Sequence, residues 1–126
     1  MPLIVRYIAA FIVFMHGLVH LLYFVSYWPL AEIEDIPYKT TLFFDRWDVG
    51  SAGIRLFAFL NLVVTVGFVI AAIAFAVDTD WWRPLMAITA VVSLVLNILD
   101  FKMAYGGPIV NIIILVLIWF APRLGW

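Results

Sequence analysis

Four stretches of nearly uninterrupted apolar residues divide the chain, at about residues 3–28, 52–77, 84–104 and 108–121. A helix rising 1.5 Å per residue needs about 20 apolar residues to cross a hydrocarbon layer of about 30 Å. The first two stretches meet that length. The third meets it only by running past Asp100, and the fourth is short, which calls for tilt or local thinning of the bilayer. Pro84 and Pro108 stand where proline fits best, in the first turn of a helix. Gly106-Gly107 breaks the chain into a tight hairpin between the last two stretches. The pattern predicts an all-α, polytopic membrane protein: a four-transmembrane-helix bundle, one domain over residues 1–126, with one long loop (29–51) between helices 1 and 2.

The polar residues inside these stretches are few and regularly spaced. His16, His20, Tyr23 and Tyr27 fall on one stripe of the first helix, and Thr89, Ser93, Asn97 and Asp100 on one stripe of the third. The second contributes Arg55 near its start, then Asn61 and Thr65; the fourth contributes Asn111. Spans one and three end on the side where spans two and four begin. His20, Arg55, Asn97, Asp100 and Asn111 therefore share one half of the membrane, with His16 about 6 Å deeper by helical rise. Ionisable groups in hydrocarbon are costly and mark sites by default. Turning the stripes inward creates a polar pocket opening toward the long loop, above a nearly apolar opposite half.

The loop carries Glu32, Glu34, Asp35, Lys39, Asp45, Arg46 and Asp48 together with Tyr38, Phe43, Phe44 and Trp47. Long loops in compact domains are functional or disordered, and a segment this aromatic suits a lid at the membrane surface better than disorder. Composition supports the membrane reading: 67% of residues are hydrophobic and 12% charged, against about 45–50% and about 25% in soluble domains. The stretch from Leu3 to Trp28 is too long for the apolar region of a signal peptide and lacks a small-x-small cleavage pattern, so it reads as a retained span. A net charge of −1 with no basic patch argues against nucleic-acid binding. The absence of cysteine excludes disulfides, thiolate nucleophiles and thiolate-ligated metals. Counting the N-terminal amine, the cations divide evenly between the two ends of the bundle, so the positive-inside rule gives little direction. The favoured orientation is multi-pass in the cytoplasmic membrane, both termini inside, with Trp81-Trp82-Arg83 as an interfacial anchor.

Several chemistries fit the polar positions. Histidines at i and i+4 make interhelical hydrogen bonds, contact a ligand, or chelate one metal. A catalytic zinc wants a third ligand, here Asp100 or a loop acid. Bis-histidine haem needs ligands from opposite sides, which one helical turn does not offer; haem on a single axial histidine stays open. Arg55 and Asp100 are expected to satisfy each other as an ion pair, Arg55 alternatively binding an anionic head group. Asp48-Val49-Gly50-Ser51-Ala52-Gly53 follows no strand, so it reads as a helix start capped by Asp48 or Ser51 rather than a phosphate loop. Gly67, Ala71 and Ala74 give span two a small-residue face for the bundle or a second copy.

His16-Gly17-Leu18-Val19-His20-Leu21, Tyr38-Lys39-Thr40-Thr41, Gly53-Ile54-Arg55 and Trp81-Trp82-Arg83-Pro84 carry a resemblance to a widespread group of small four-span membrane proteins of bacteria and archaea. In general plan that group is similar to the DoxX-like four-helix proteins, some of which accompany quinone-linked oxidoreductases. The resemblance implies a fold and no particular activity. The sequence thus favours a non-catalytic membrane protein that binds a small apolar or lipid-like ligand, or serves as accessory subunit of a membrane complex, its partners being the lipid bilayer and other membrane subunits or a second copy. Its ligand-binding residues would be His16, His20, Arg55, Asn97, Asp100 and Asn111. The alternative is a redox, metal- or haem-binding membrane enzyme, or its cofactor-holding subunit, using His16 and His20; no cofactor is favoured.

Overall fold

A computed structural model describes residues 1–125. The elements are α1 (Leu3–Tyr27), β1 (Thr41–Leu42), β2 (Trp47–Asp48), α2 (Gly50–Ala76), α3 (Trp82–Leu99), α4 (Phe101–Ala104), α5 (Gly107–Phe120) and a 3-10 turn, Ala121–Leu124. Four helices, the last counted through Leu124, are long and apolar enough to cross a membrane. Large apolar side chains such as Ile4, Phe11, Leu56, Ile88 and Ile109 are exposed along their outer faces. That surface is the reverse of what a water-soluble bundle shows.

The helices pack in chain order, α1 on α2, α2 on α3 and α3 on α5, while α1 and α5 make no comparable close backbone approach. The closely packed neighbours are held by small residues and short polar contacts. Ala71 and Ala74 are buried, and a Cβ on Gly67 would lie 2.7 Å from the Thr89 hydroxyl of α3, so the small-residue face of α2 serves the bundle. Thr65 donates to the Gly17 carbonyl at 2.9 Å. At the end carrying the N-terminus, Arg6 donates to the Phe75 carbonyl at 2.6 Å and meets Asp78 at 3.1 Å, setting a cation at the C-terminus of α2. Trp82 is buried against Phe75 with ring centroids 4.6 Å apart, so of the expected tryptophan anchor only Trp81 is exposed.

The third helix does not run through Asp100 as the apolar pattern suggested. It stops at Leu99, and Phe101–Ala104 forms a separate turn. The cause is Asp100, whose carboxylate accepts from Tyr27 of α1 and Lys39 of the loop, each at 2.6 Å. At the start of α2 the Asp48 carboxylate accepts the Gly50 N–H at 3.0 Å, and Ser51 makes no cap.

The long loop is ordered and strapped to the end of α3. Its tip is a two-residue antiparallel ladder pairing Thr41 with Asp48 and Leu42 with Trp47. Phe43, Phe44 and Asp45 between the strands all have positive φ (54°, 57° and 63°), a costly run for residues with a Cβ. Contacts on both sides hold it. The Phe43 N–H donates to the Leu99 carbonyl at 2.7 Å, and the Phe43 ring stacks on Trp47 at 4.9 Å. Asp45 accepts from Thr41 at 2.7 Å and from Lys102 at 2.6 Å. Those two donors hold its carboxyl below the ordinary carboxylate range. At the near end of the loop, the Ser26 hydroxyl donates to the Ile36 carbonyl.

Candidate functional site

Helical spacing brings both polar stripes inward. His20, Ser93, Asn97, Asp100 and Asn111 are buried, and His16 is half-buried. They form two groups. Asp100, with Lys39 and Tyr27, is a latch between the loop and the helix ends. His16, His20, Asn61, Ser93, Asn97 and Asn111 form a continuous network across four helices.

Ser93 is the hub of that network and is fully buried. Its oxygen lies 2.6 Å from His20 Nε2, 2.8 Å from Asn111 Nδ2 and 3.5 Å from Asn97 Nδ2. His20 Nδ1 lies 2.7 Å from Asn61 Oδ1, and Asn61 Nδ2 donates to the Phe57 carbonyl at 2.9 Å. His16 Nε2 lies 3.2 Å from Asn111 Oδ1. Asn97 is held close to the start of α5, where a Cβ on Gly107 would fall 2.0 Å from Asn97 Nδ2. Only glycine lets the fourth span begin there.

Beside this network is a cavity of about 390 Å³ lined by His16, His20, Tyr23, Asn97, Gly107 and Val110, among others. Its size falls within the range of about 300–1,000 Å³ usual for ligand sites. It does not open under the long loop, as the sequence suggested; no residue of 29–49 lines it. Its cover is the Met103–Gly107 turn, to which Tyr23 is tied by a hydrogen bond from its hydroxyl to the Met103 carbonyl, 3.1 Å. A second, narrower cavity of about 150 Å³ follows along the same two helices. Val5, Ala9 and Val13 line it from α1 and Ile114, Leu117 and Ile118 from α5, with Phe75 of α2 and Trp82 and Met86 of α3 closing it on the bundle side. Val13 and Ile114 each lie one turn beyond the residues that bound the polar cavity. A single seam between α1 and α5 is thus polar toward the loop end, apolar toward the termini, and bridged between by the His16–Asn111 hydrogen bond.

Two of the expected site residues lie elsewhere. Arg55 is exposed on the outer face of α2, its guanidinium 5.6 Å from the centre of the Trp28 ring. It forms no ion pair with Asp100, whose cation is Lys39. Asp100 is buried in the latch and does not line the cavity. Sequence reasoning left Lys39, Ser93 and Asn61 out of the ligand-binding residues. The loop offers only two cations, Lys39 and Arg46, and a buried carboxylate at its base was the available signal. Both ring nitrogens of His20 are engaged, so joint chelation of a metal by His16 and His20 would require breaking the His20–Ser93 or His20–Asn61 contact. Among the described residues no group of three His, Cys, Asp or Glu side chains is placed to hold a metal ion.

No protein-family model, no curated protein and no solved structure matches the chain. Fold and site alone define the class: a mostly helical chain with four helices able to span a membrane, arranged around a buried polar network beside a lateral cavity.

Proposed function

We propose that this is a multi-pass protein of the cytoplasmic membrane that holds a single-tailed, lipid-like molecule in the seam between α1 and α5, without itself performing chemistry on it. The observation that carries the reading is that two cavities follow one another in register along α1 and α5. A polar chamber and an apolar groove lie end to end along one helix pair, which matches an amphiphile with its head at His16 and its tail beside Val13 and Ile114. The seam faces sideways, so the ligand enters from the bilayer rather than from water. The Lys39–Asp100–Tyr27 latch and the loop close the end of the bundle. Both termini lie in the cytoplasm and the acidic loop outside; the kinship in plan with DoxX-like four-helix proteins belongs to the same proposal and rests on the span count and the polar first helix.

Gly106 supplies the test of the ligand reading. A Cβ there meets nothing within 4 Å, so Gly106→Phe narrows the cavity mouth without disturbing the helices. Native mass spectrometry of protein released from membranes in mild detergent should show one retained lipid-sized adduct per chain, lost in Gly106→Phe. An adduct unchanged in the variant would refute the seam as its site. Orientation is checked separately, because the chain has no cysteine: single cysteines at Glu34 and Asp80 should react with a membrane-impermeant maleimide in intact cells at Glu34 only.

A further inference from the structure

The hydrogen-bond network has a direction, and the direction is set by one atom that has no choice. The Phe57 carbonyl only accepts, so Asn61 presents Nδ2 to it and turns Oδ1 toward His20. An amide oxygen only accepts, so His20 carries its proton on Nδ1, and its Nε2 is an acceptor. Ser93 must then donate its single hydroxyl proton to His20 Nε2 and receive the Asn111 amide on its lone pairs. Asn111 therefore shows Oδ1 to His16, and His16 carries its proton on Nε2. Five bonds in series run one way, from His16 to Phe57, and they fix opposite tautomers on the two histidines.

The consequence falls on the cavity. His16 Nδ1 is left as a bare lone pair. It has no hydrogen-bond partner, and neither has Asn97 Oδ1. No buried polar side-chain atom lacks a partner among the described residues, so both atoms are open, and both residues line the cavity. The Tyr23 hydroxyl has spent its proton on the Met103 carbonyl and offers only lone pairs. Asn97 Nδ2 keeps a second hydrogen and Tyr105 a hydroxyl on the same lining, but at His16 the chamber meets a lone pair and no donor, because the single ring N–H is spent on Asn111.

We infer that the head group held at His16 is neutral and donates a hydrogen bond, as a hydroxyl does, and that the site discriminates against molecules of the same shape that only accept. This rests on the seam as a lipid-like ligand site and adds the chemistry of the head. An ether, ester or ketone oxygen placed against His16 would meet a lone pair, whereas an O–H finds His16 Nδ1 directly.

The test compares 4-octylphenol with 4-octylanisole, its methyl ether, which keeps ring and tail and loses the O–H. Protein with ¹⁵N-labelled histidine in phosphatidylcholine nanodiscs at pH 8, above the ordinary histidine range, is titrated with each, on a scale of bilayer mole fraction. Half-saturation by the phenol is expected at about tenfold lower mole fraction than by the ether, the size of one net hydrogen bond. The His16 Nδ1 resonance should move toward the hydrogen-bonded range while His20 stays fixed. His16→Phe should bind both probes alike. Equal binding of the two probes to the natural protein, or a preference surviving in His16→Phe, overturns the donor inference and leaves the seam standing. Failure of both probes to perturb His16 overturns the seam together with the inference.

Discussion

Removing the Ser93 hydroxyl separates a directed network from ordinary interhelical adhesion. Ser93→Ala takes the proton donor from His20 Nε2 and the acceptor from Asn111 Nδ2, at 2.6 and 2.8 Å. Its third contact, to Asn97 at 3.5 Å, is too long to carry weight. If each bond were worth what polar contacts between membrane helices average, about 0.6 kcal/mol, the loss would be near 1 kcal/mol. The geometry demands more. Ser93 is fully buried and His20 is 2% exposed, so the His20 Nε2 that faced Ser93 is left unpaired in the interior, and an unsatisfied buried group costs about 1–3 kcal/mol. Asn111 keeps His16 on its Oδ1 and, fully buried itself, loses the partner of Nδ2 only. The expected destabilisation is therefore about 2–4 kcal/mol, measured by reversible unfolding in mixed micelles. The same sample should lose the fixed Nδ1–H tautomer of His20 in its ¹⁵N spectrum. In the His20→Leu background, where Ser93 has nothing to donate to, Ser93→Ala should cost under about 1 kcal/mol. A cost below about 1 kcal/mol in the natural background, or equal costs in both, would refute the argument.

Three further outcomes are expected. Lys39→Met leaves the buried Asp100 carboxylate with Tyr27 alone; breaking a fully buried pair costs about 3–5 kcal/mol, and because Lys39 is 16% exposed the expected loss of unfolding free energy is about 1–3 kcal/mol, largely restored in Lys39→Met/Asp100→Asn. Gly107→Ala sets a methyl into the Asn97 amide and should cost about 1–3 kcal/mol as overpacking does, with Asn97→Ala in the same chain recovering most of it; a free-standing Gly107→Ala as stable as the natural protein would contradict the close approach of α3 and α5. The Asp45 carboxyl is held low by Lys102 and Thr41, so its contribution to the loop tip is complete above the unfolded value of about 3.9 and is lost as pH falls through the folded value. Protease cleavage near Trp47 should be constant from pH 8 to 5 and rise below about pH 4, whereas Asp45→Asn should be cleaved readily and equally at every pH.

The four long helices and the inward stripes were legible because they depend on period alone. Polar residues three and four apart in an apolar segment have one face to share, and hydrocarbon leaves them nowhere else to go. Arg55 could have been set aside on the same ground. It lies six residues before Asn61, about 120° away around the helix, so the two were never on one face. The break at Asp100 was not legible, since neither proline nor glycine marks it. It depends on Lys39 arriving from a loop whose path no period describes. The lateral opening of the cavity was hidden for a related reason. The sequence says which residues face inward, but which pair of helices stays apart depends on packing across all four.

That last point links the packing to the proposed function. In a bilayer no hydrophobic force draws apolar helices together, because lipid tails solvate them equally well, so contact forms where shapes fit or polar groups meet. At α2–α3 and α3–α5, Gly67 and Gly107 let a neighbouring polar side chain come within reach of the backbone, and at α1–α2 the Thr65 hydroxyl reaches the Gly17 carbonyl. The α1–α5 seam has Val5, Val13, Ile114, Leu117 and Ile118 along its apolar half and one side-chain hydrogen bond, His16 to Asn111, as its clasp. Bulky side chains hold that pair apart at no penalty so long as a tail fills the gap. The clasp also sits at the head of the directed network. A ligand that bonds His16 therefore touches the one side-chain hydrogen bond that joins α1 to α5 among the described residues and, through Asn111 and Ser93, the contacts joining both to α3 and α2. On the proposed function, occupancy of the seam and cohesion of the bundle are in this way coupled through a single imidazole.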